Sequence, residues 1–179
     1  MKQQTLRVAE GAALVALALA LSYMERMIPL GLLFPLPGVK LGLANIVTVL
    51  ALYGLGSGTA FTVLVVRCLL GSMFGGGVSG LLFSLTGGIL AMAVMALARY
   101  AKPLSIYGVS ILGAAAHNAG QVLAAMVMMK SPAVLAYLPP LLLVGLFTGF
   151  LTGAVTAATL GALDKSGQLQ KIKRRRTSA

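Results

Sequence analysis

Arg67 stands in the middle of an apolar stretch, TVLVVRCLLGS at residues 62–72. An arginine near the centre of a bilayer costs at least about 2.5 kcal/mol, so it needs a partner. Its guanidinium forms forked hydrogen bonds with carboxylates and phosphates. The stretch therefore indicates either a structural contact with protein carboxylate or carbonyl groups, a water-lined cavity, or a site for an anionic ligand.

The sequence contains only three carboxylates, at Glu10, Glu25 and Asp164. Glu25 lies near the end of the first apolar segment and is the carboxylate that could reach Arg67. One interpretation is that Arg67 bonds to Glu25 or to backbone carbonyls and serves folding alone. The interpretation that we favour is an anion site formed by Arg67 with help from Lys40.

A second group of polar residues occurs in the apolar segment that contains AAAHNAGQ, residues 114–121. His117 and Gln121 are one helical turn apart and share a helix face, with Asn118 beside them. Together with Asn45 they could orient a ligand through hydrogen bonds. The alternative for His117 is a hydrogen bond that joins two helices. The predicted substrate-binding residues are Arg67, Lys40, Asn45, His117, Asn118 and Gln121.

The elements that position these residues are predicted from composition and periodicity. Of the 179 residues, 59% are hydrophobic and only 9% are charged, which is typical of an integral membrane protein. The apolar runs are continuous, which favours helices over strands that alternate. The six predicted segments are 9–28, 39–55, 58–74, 78–98, 105–129 and 138–163. We expect an all-α bundle of about six transmembrane helices in one domain, residues 1–163, followed by a basic cytoplasmic tail, residues 164–179.

The distribution of Lys and Arg predicts the orientation of this bundle in the cell membrane. Most of these residues fall at both termini and in the loop after the fourth segment, so we expect both termini to be cytoplasmic. The first segment imitates a signal peptide, but it is longer than a typical signal sequence, and we interpret it as a retained span.

The net charge is +11, and six of the fourteen basic residues lie in the tail. A basic run beside a transmembrane helix favours anionic lipid headgroups as its partner and disfavours nucleic acid. No phosphate-binding loop motif occurs in the sequence, and its few acids are widely spaced, which disfavours a metal site and metal-dependent catalysis. We therefore predict neither a cofactor nor enzyme activity.

Two loops and two helix faces carry further signals. The loop RMIPLGLLFPLPGVK, residues 26–40, could fold back as a lid or rest at the membrane interface, and the glycine-rich stretch 72–80 could move.

Small residues recur every four positions on two helices, a spacing that allows close helix packing. These residues are Ala12, Ala16 and Ala20 in the first segment, and Gly145, Gly149 and Gly153 in the sixth. For the sixth segment we expect packing within the bundle.

The segments PGVKLGLANIVTVLALYGLG (37–56) and AAAHNAGQ (114–121) resemble the Gx transporter family, also labelled heptaprenyl diphosphate synthase component I. This family is similar to the substrate-binding S components of energy-coupling-factor transporters, which dock on a transmembrane subunit coupled to two ATPases. The resemblance implies a ligand cavity near the outer leaflet, closed by the loop 26–40. It also implies that Ala12, Ala16 and Ala20 bind the coupling subunit.

Two hypotheses follow from the residues and the resemblance. The first is a substrate-binding subunit for uptake of a small, anionic or partly apolar molecule. The second is a non-catalytic membrane accessory protein in isoprenoid or quinone metabolism, or in flavin- or quinone-linked extracellular electron transfer. An ion channel has little support, because no ring of like charges lines a plausible pore.

Overall fold

The computed structural model describes residues 2–28, 40–101 and 103–177, and within these ranges it contains helices and no β-strand. Six helices form the bundle, and each corresponds to one predicted apolar segment. They are α1 (Lys2–Arg26), α2 (Asn45–Gly54), α3 (Ser57–Gly71), α4 (Gly77–Ala98), α5 (Ile106–Met129) and α6 (Leu138–Lys165). The all-α fold class is confirmed.

Four helical segments are long and apolar enough to cross a bilayer: Gln4–Arg26, Ser57–Ala98, Ile106–Met129 and Pro132–Lys165. The second of these contains both α3 and α4, which are joined by a π-helical turn at Ser72–Gly76. Leu64 of α3 packs against Gly88 of α4, so the two helices fold back on each other as a hairpin. The protein is thus an integral membrane protein.

Helix α2 begins later than the predicted segment 39–55, which is a correction to the sequence analysis. Residues 40–44 are not helical, and Gly42 adopts a left-handed conformation with φ of 84°. The Gly42 N–H donates to the carboxylate of Glu25, and the Lys40 backbone pairs with the Gln121 side chain. Irregular backbone is tolerated inside a membrane protein where protein groups satisfy its donors and acceptors, as they do here.

The glycine-rich stretch 72–80 forms the π-helical turn and the first residues of α4. Gly75 and Gly77 take positive φ angles of 94° and 59°, which glycine adopts without steric cost. Arg26, at the end of α1, donates to the carbonyl of Gly71 at 2.7 Å and to that of Phe74 at 2.9 Å. The end of α1 therefore holds the turn between α3 and α4. Most of the predicted lid, residues 29–39, lies outside the described residues.

Glycines bring α4, α5 and α6 into close contact. A Cβ at Gly120 of α5 would lie 2.7 Å from the Cα of Gly87 in α4. The glycine face of α6 packs on α5 in the same way: a Cβ at Gly149 would lie 2.6 Å from the Cα of Ile111, and one at Gly153 would lie 2.9 Å from the Cα of Tyr107. Packing of the α6 glycines within the bundle, as predicted, is confirmed.

Replacing Gly120 by alanine should destabilise the bundle by about 1–3 kcal/mol, because the added methyl group meets backbone atoms of α4 that cannot rotate away. The measurement is the thermal midpoint of the purified protein in detergent. Gly161→Ala on α6 is the control, since a Cβ at Gly161 has no other atom within 4 Å. Equal midpoints for the two variants would contradict the close approach of α4 and α5.

The residues after α6 form a seventh helix, α7, at Gln168–Thr177. Its Leu169 is buried, and the helix packs against α6 and α2. The segment predicted as a basic tail therefore has regular structure within residues 168–177. Its position in the cytoplasm stays a prediction.

A buried polar cluster as the candidate binding site

Seven polar or charged residues from five helices and the segment before α2 meet inside one half of the bundle. We call them the polar cluster: Glu25, Lys40, Asn45, Arg67, Ser84, His117 and Gln121. All are buried except Lys40, which is half-buried. The cluster brings together five of the six predicted substrate-binding residues.

Arg67 is 7% exposed and donates from Nη2 to the Asn45 Oδ1 at 3.2 Å. Its Nε has no hydrogen-bond partner within the part of the chain that the structure describes. The carboxylate of Glu25 hydrogen-bonds to the backbone N–H of Gly42 and interacts with Arg67 only through the electrostatic field. Arg67 therefore retains a buried donor that its protein neighbours do not use.

Lys40 reaches into the same space from the segment before α2. Its Nζ donates to the Ser84 Oγ at 2.8 Å. The Glu25 carboxylate interacts electrostatically with the Lys40 ammonium. Sequence reasoning did not identify Ser84, because a single serine in an apolar helix usually bonds to the backbone of its own helix.

His117 and Gln121 connect α5 to the segment before α2. In the orientation that satisfies its neighbours, the Gln121 amide oxygen accepts from the Lys40 N–H at 3.3 Å and from the His117 Nε2 at 3.0 Å, and its nitrogen donates to the Lys40 carbonyl at 3.2 Å. The His117 ring packs between Gly42 and Gly87, where a Cβ would lie 3.2 Å and 2.9 Å from ring atoms. Glycines at both positions thus make room for the imidazole.

Asn118 points away from the polar cluster. Its Nδ2 donates to the Leu141 carbonyl of α6 at 2.6 Å, and it packs against Gly145. In the structure this amide joins α5 to α6, whereas the sequence analysis placed it among the ligand-binding residues.

The alanine face of α1 lies on the surface, unlike the glycine face of α6. Ala12, Ala16 and Ala20 are exposed. Ala12 and Ala16 line a groove of about 1020 Å³ between α1 and α3, and Ala20 lines a smaller groove of about 350 Å³ at the end where Arg26 lies. This face is therefore accessible in the isolated chain.

The six-helix bundle and its buried cluster define a polytopic α-helical membrane protein with a cationic centre. Among the described residues, no group of three or more His, Cys, Asp or Glu side chains is placed to hold a metal ion. The chain belongs to the family described as heptaprenyl diphosphate synthase component I, whose family model matches residues 14–159. This match confirms the family resemblance. The comparisons with curated proteins and with solved structures gave no match.

Proposed function

We propose that the protein is the substrate-binding membrane subunit of an energy-coupling-factor type uptake transporter. Its substrate is a small, anionic or partly apolar molecule. The observation that supports this proposal best is the buried guanidinium of Arg67. The residue is 7% exposed and lies beside Lys40, and its Nε has no hydrogen-bond partner among the described residues. A buried donor without a partner costs about 1–3 kcal/mol, which an anionic ligand would recover.

Five residues of the polar cluster have a role in this proposal. Arg67 and Lys40 neutralise the charge of the substrate, while Asn45, His117 and Gln121 orient it and each other through hydrogen bonds. If both termini are cytoplasmic, the cluster lies in the outer half of the bilayer, within reach of solute outside the cell.

We further propose that the protein is not itself an enzyme and obtains energy from a partner. Glu25, the carboxylate of the cluster, is held by the backbone of Gly42. Of the other two acids, Glu10 lies in the first half of α1, whereas Glu25 lies at the end of that helix, and Asp164 lies in the last turn of α6. Metal-assisted phosphoryl or prenyl chemistry needs carboxylates grouped around the ion, and this distribution does not provide them.

Mild-detergent purification of the tagged full-length chain from its native membrane, with mass spectrometry of co-purifying proteins, tests the proposed function. Recovery of a transmembrane coupling subunit with two ATPases supports uptake transport. The exposed face with Ala12, Ala16 and Ala20 is the surface that we expect the coupling subunit to contact.

The second candidate function is a non-catalytic accessory role in isoprenoid or quinone metabolism or in flavin- or quinone-linked extracellular electron transfer. The family description, which names a component of a prenyl diphosphate synthase, favours it. Recovery of prenyl- or quinone-pathway enzymes, or of flavoproteins, without an ATPase would support this role and would contradict the transport proposal.

A further inference from the structure

The buried charges of the polar cluster do not balance. Counted with their formal charges at neutral pH, Lys40 and Arg67 contribute +1 each and Glu25 contributes −1, which leaves a net charge of +1 with His117 counted as neutral. The lid sequence cannot change this sum, because residues 29–39, PLGLLFPLPGV, contain no ionisable side chain.

Arg26 also acts electrostatically on Lys40, but its guanidinium is bound to the carbonyls of Gly71 and Phe74 in the turn before α4. Its guanidinium is thus paired with backbone oxygens of this turn, which lie outside the polar cluster. It therefore does not belong to the charge that must be balanced inside the cluster.

Glu25 is held in place independently of Arg67. Its carboxylate accepts a hydrogen bond from the Gly42 N–H, and it is 3% exposed. Glu25 therefore cancels one of the two cationic charges without accepting a hydrogen bond from the Arg67 Nε–H, which has no partner in the described ranges. The cluster therefore combines a buried N–H donor, the Arg67 Nε–H, with a net formal charge of +1.

We propose that the polar cluster binds an anionic group of a single negative charge, with a carboxylate as the group that fits the arginine fork, and that Glu25 sets this limit. This inference rests on the proposed function and specifies its substrate class. A dianion would leave one uncompensated negative charge in a buried site, and unpaired buried charges are strongly unfavourable.

The test compares formate, a carboxylate of charge −1, with sulfate, of charge −2, as probes of the full-length protein in detergent at neutral pH and equal ionic strength. The measurement is the thermal midpoint as a function of anion concentration. The response of Arg67→Gln, or of Lys40→Gln if the first variant does not fold, is subtracted to remove general salt effects. We expect formate to bind on the order of tenfold more tightly than sulfate.

Glu25→Gln is the decisive variant. The glutamine oxygen can still accept from the Gly42 N–H, while the net charge of the cluster rises to +2. We expect this variant to bind sulfate more tightly than formate, the reverse of the wild-type protein.

Each other outcome overturns a defined part of the proposal. A wild-type protein that binds sulfate at least as tightly as formate contradicts the single-charge limit but leaves an anion-binding subunit intact. An unchanged preference in Glu25→Gln contradicts the assigned role of Glu25. No response to either anion beyond that of the reference variant contradicts the anion site itself, and with it the ligand chemistry of the proposed function.

Discussion

Replacing Arg67 by alanine should abolish ligand binding while the bundle remains folded. The substitution removes the Nε–H, which no described residue accepts, and the bond from Nη2 to Asn45. It leaves the cluster with Lys40 and Glu25, whose formal charges cancel. Loss of one member of a buried charged contact costs about 2–5 kcal/mol, so binding should weaken on the order of 30-fold or more. The measurement is the amount of anionic small molecule extracted from equal amounts of purified folded protein.

Arg99→Ala is the matched control for Arg67→Ala. Like Arg67, Arg99 donates a hydrogen bond to another helix, in its case to the Leu52 carbonyl at 3.1 Å, but it lies at the end of α4, outside the polar cluster. This variant should retain its ligand. If Arg67→Ala instead lowers the yield of folded protein and the bound ligand in proportion, Arg67 serves folding, and the structural interpretation of this residue is correct.

The helical architecture was predictable from the sequence because membrane-spanning segments must be apolar over their whole length. The predicted segment 105–129 corresponds to α5 at Ile106–Met129, and the segment 78–98 corresponds to α4 at Gly77–Ala98. The glycine spacing of α6 also predicted its buried face, since only small residues let two helix backbones approach closely. In each case the local sequence alone imposes the structure.

The contacts of the site were less predictable because they depend on which backbone groups remain unpaired. Gly42 and its neighbours are as apolar as the helix that follows them, and the sequence does not reveal that Glu25 and Gln121 bind their backbone. Asn118 shares a helix with His117, yet it bonds to Leu141 of α6. The few charged residues in the sequence made Arg67 recognisable as a candidate. Only the structure shows that the Glu25 carboxylate hydrogen-bonds to the Gly42 N–H and not to Arg67.

The electrostatics of the cluster also explain why a binding subunit would keep an arginine inside the bilayer. An arginine with all its hydrogen bonds satisfied by protein groups would stabilise the fold but offer nothing to a ligand. Here Asn45 binds Nη2 and fixes the guanidinium, while Nε has no partner among the residues that the structure describes. Such preorganisation reduces the entropy that is lost when the ligand binds.

The second large effect that we expect concerns the surface of α1. Ala16→Leu should reduce co-purification of the coupling subunit at least about tenfold, because a side chain of this size separates helices that small residues allow to pack closely. Ala16 is exposed and lines the groove between α1 and α3, so the added side chain has space in the isolated subunit and should leave its folding and ligand content unchanged. The measurement is quantitative mass spectrometry of proteins captured with each variant from the native membrane.

Ala93→Leu provides the matched control for the α1 surface, since Ala93 is also an exposed alanine on a membrane-embedded helix, α4, but lies outside the α1–α3 groove. Loss of the partner from Ala16→Leu alone locates the docking surface on α1 and separates it from the ligand site, which Arg67→Ala tests. Equal recovery with both variants would exclude this face as the docking surface. If both variants lost the partner equally, the cause would be a general effect of larger lipid-facing side chains, and the assignment to α1 would be wrong.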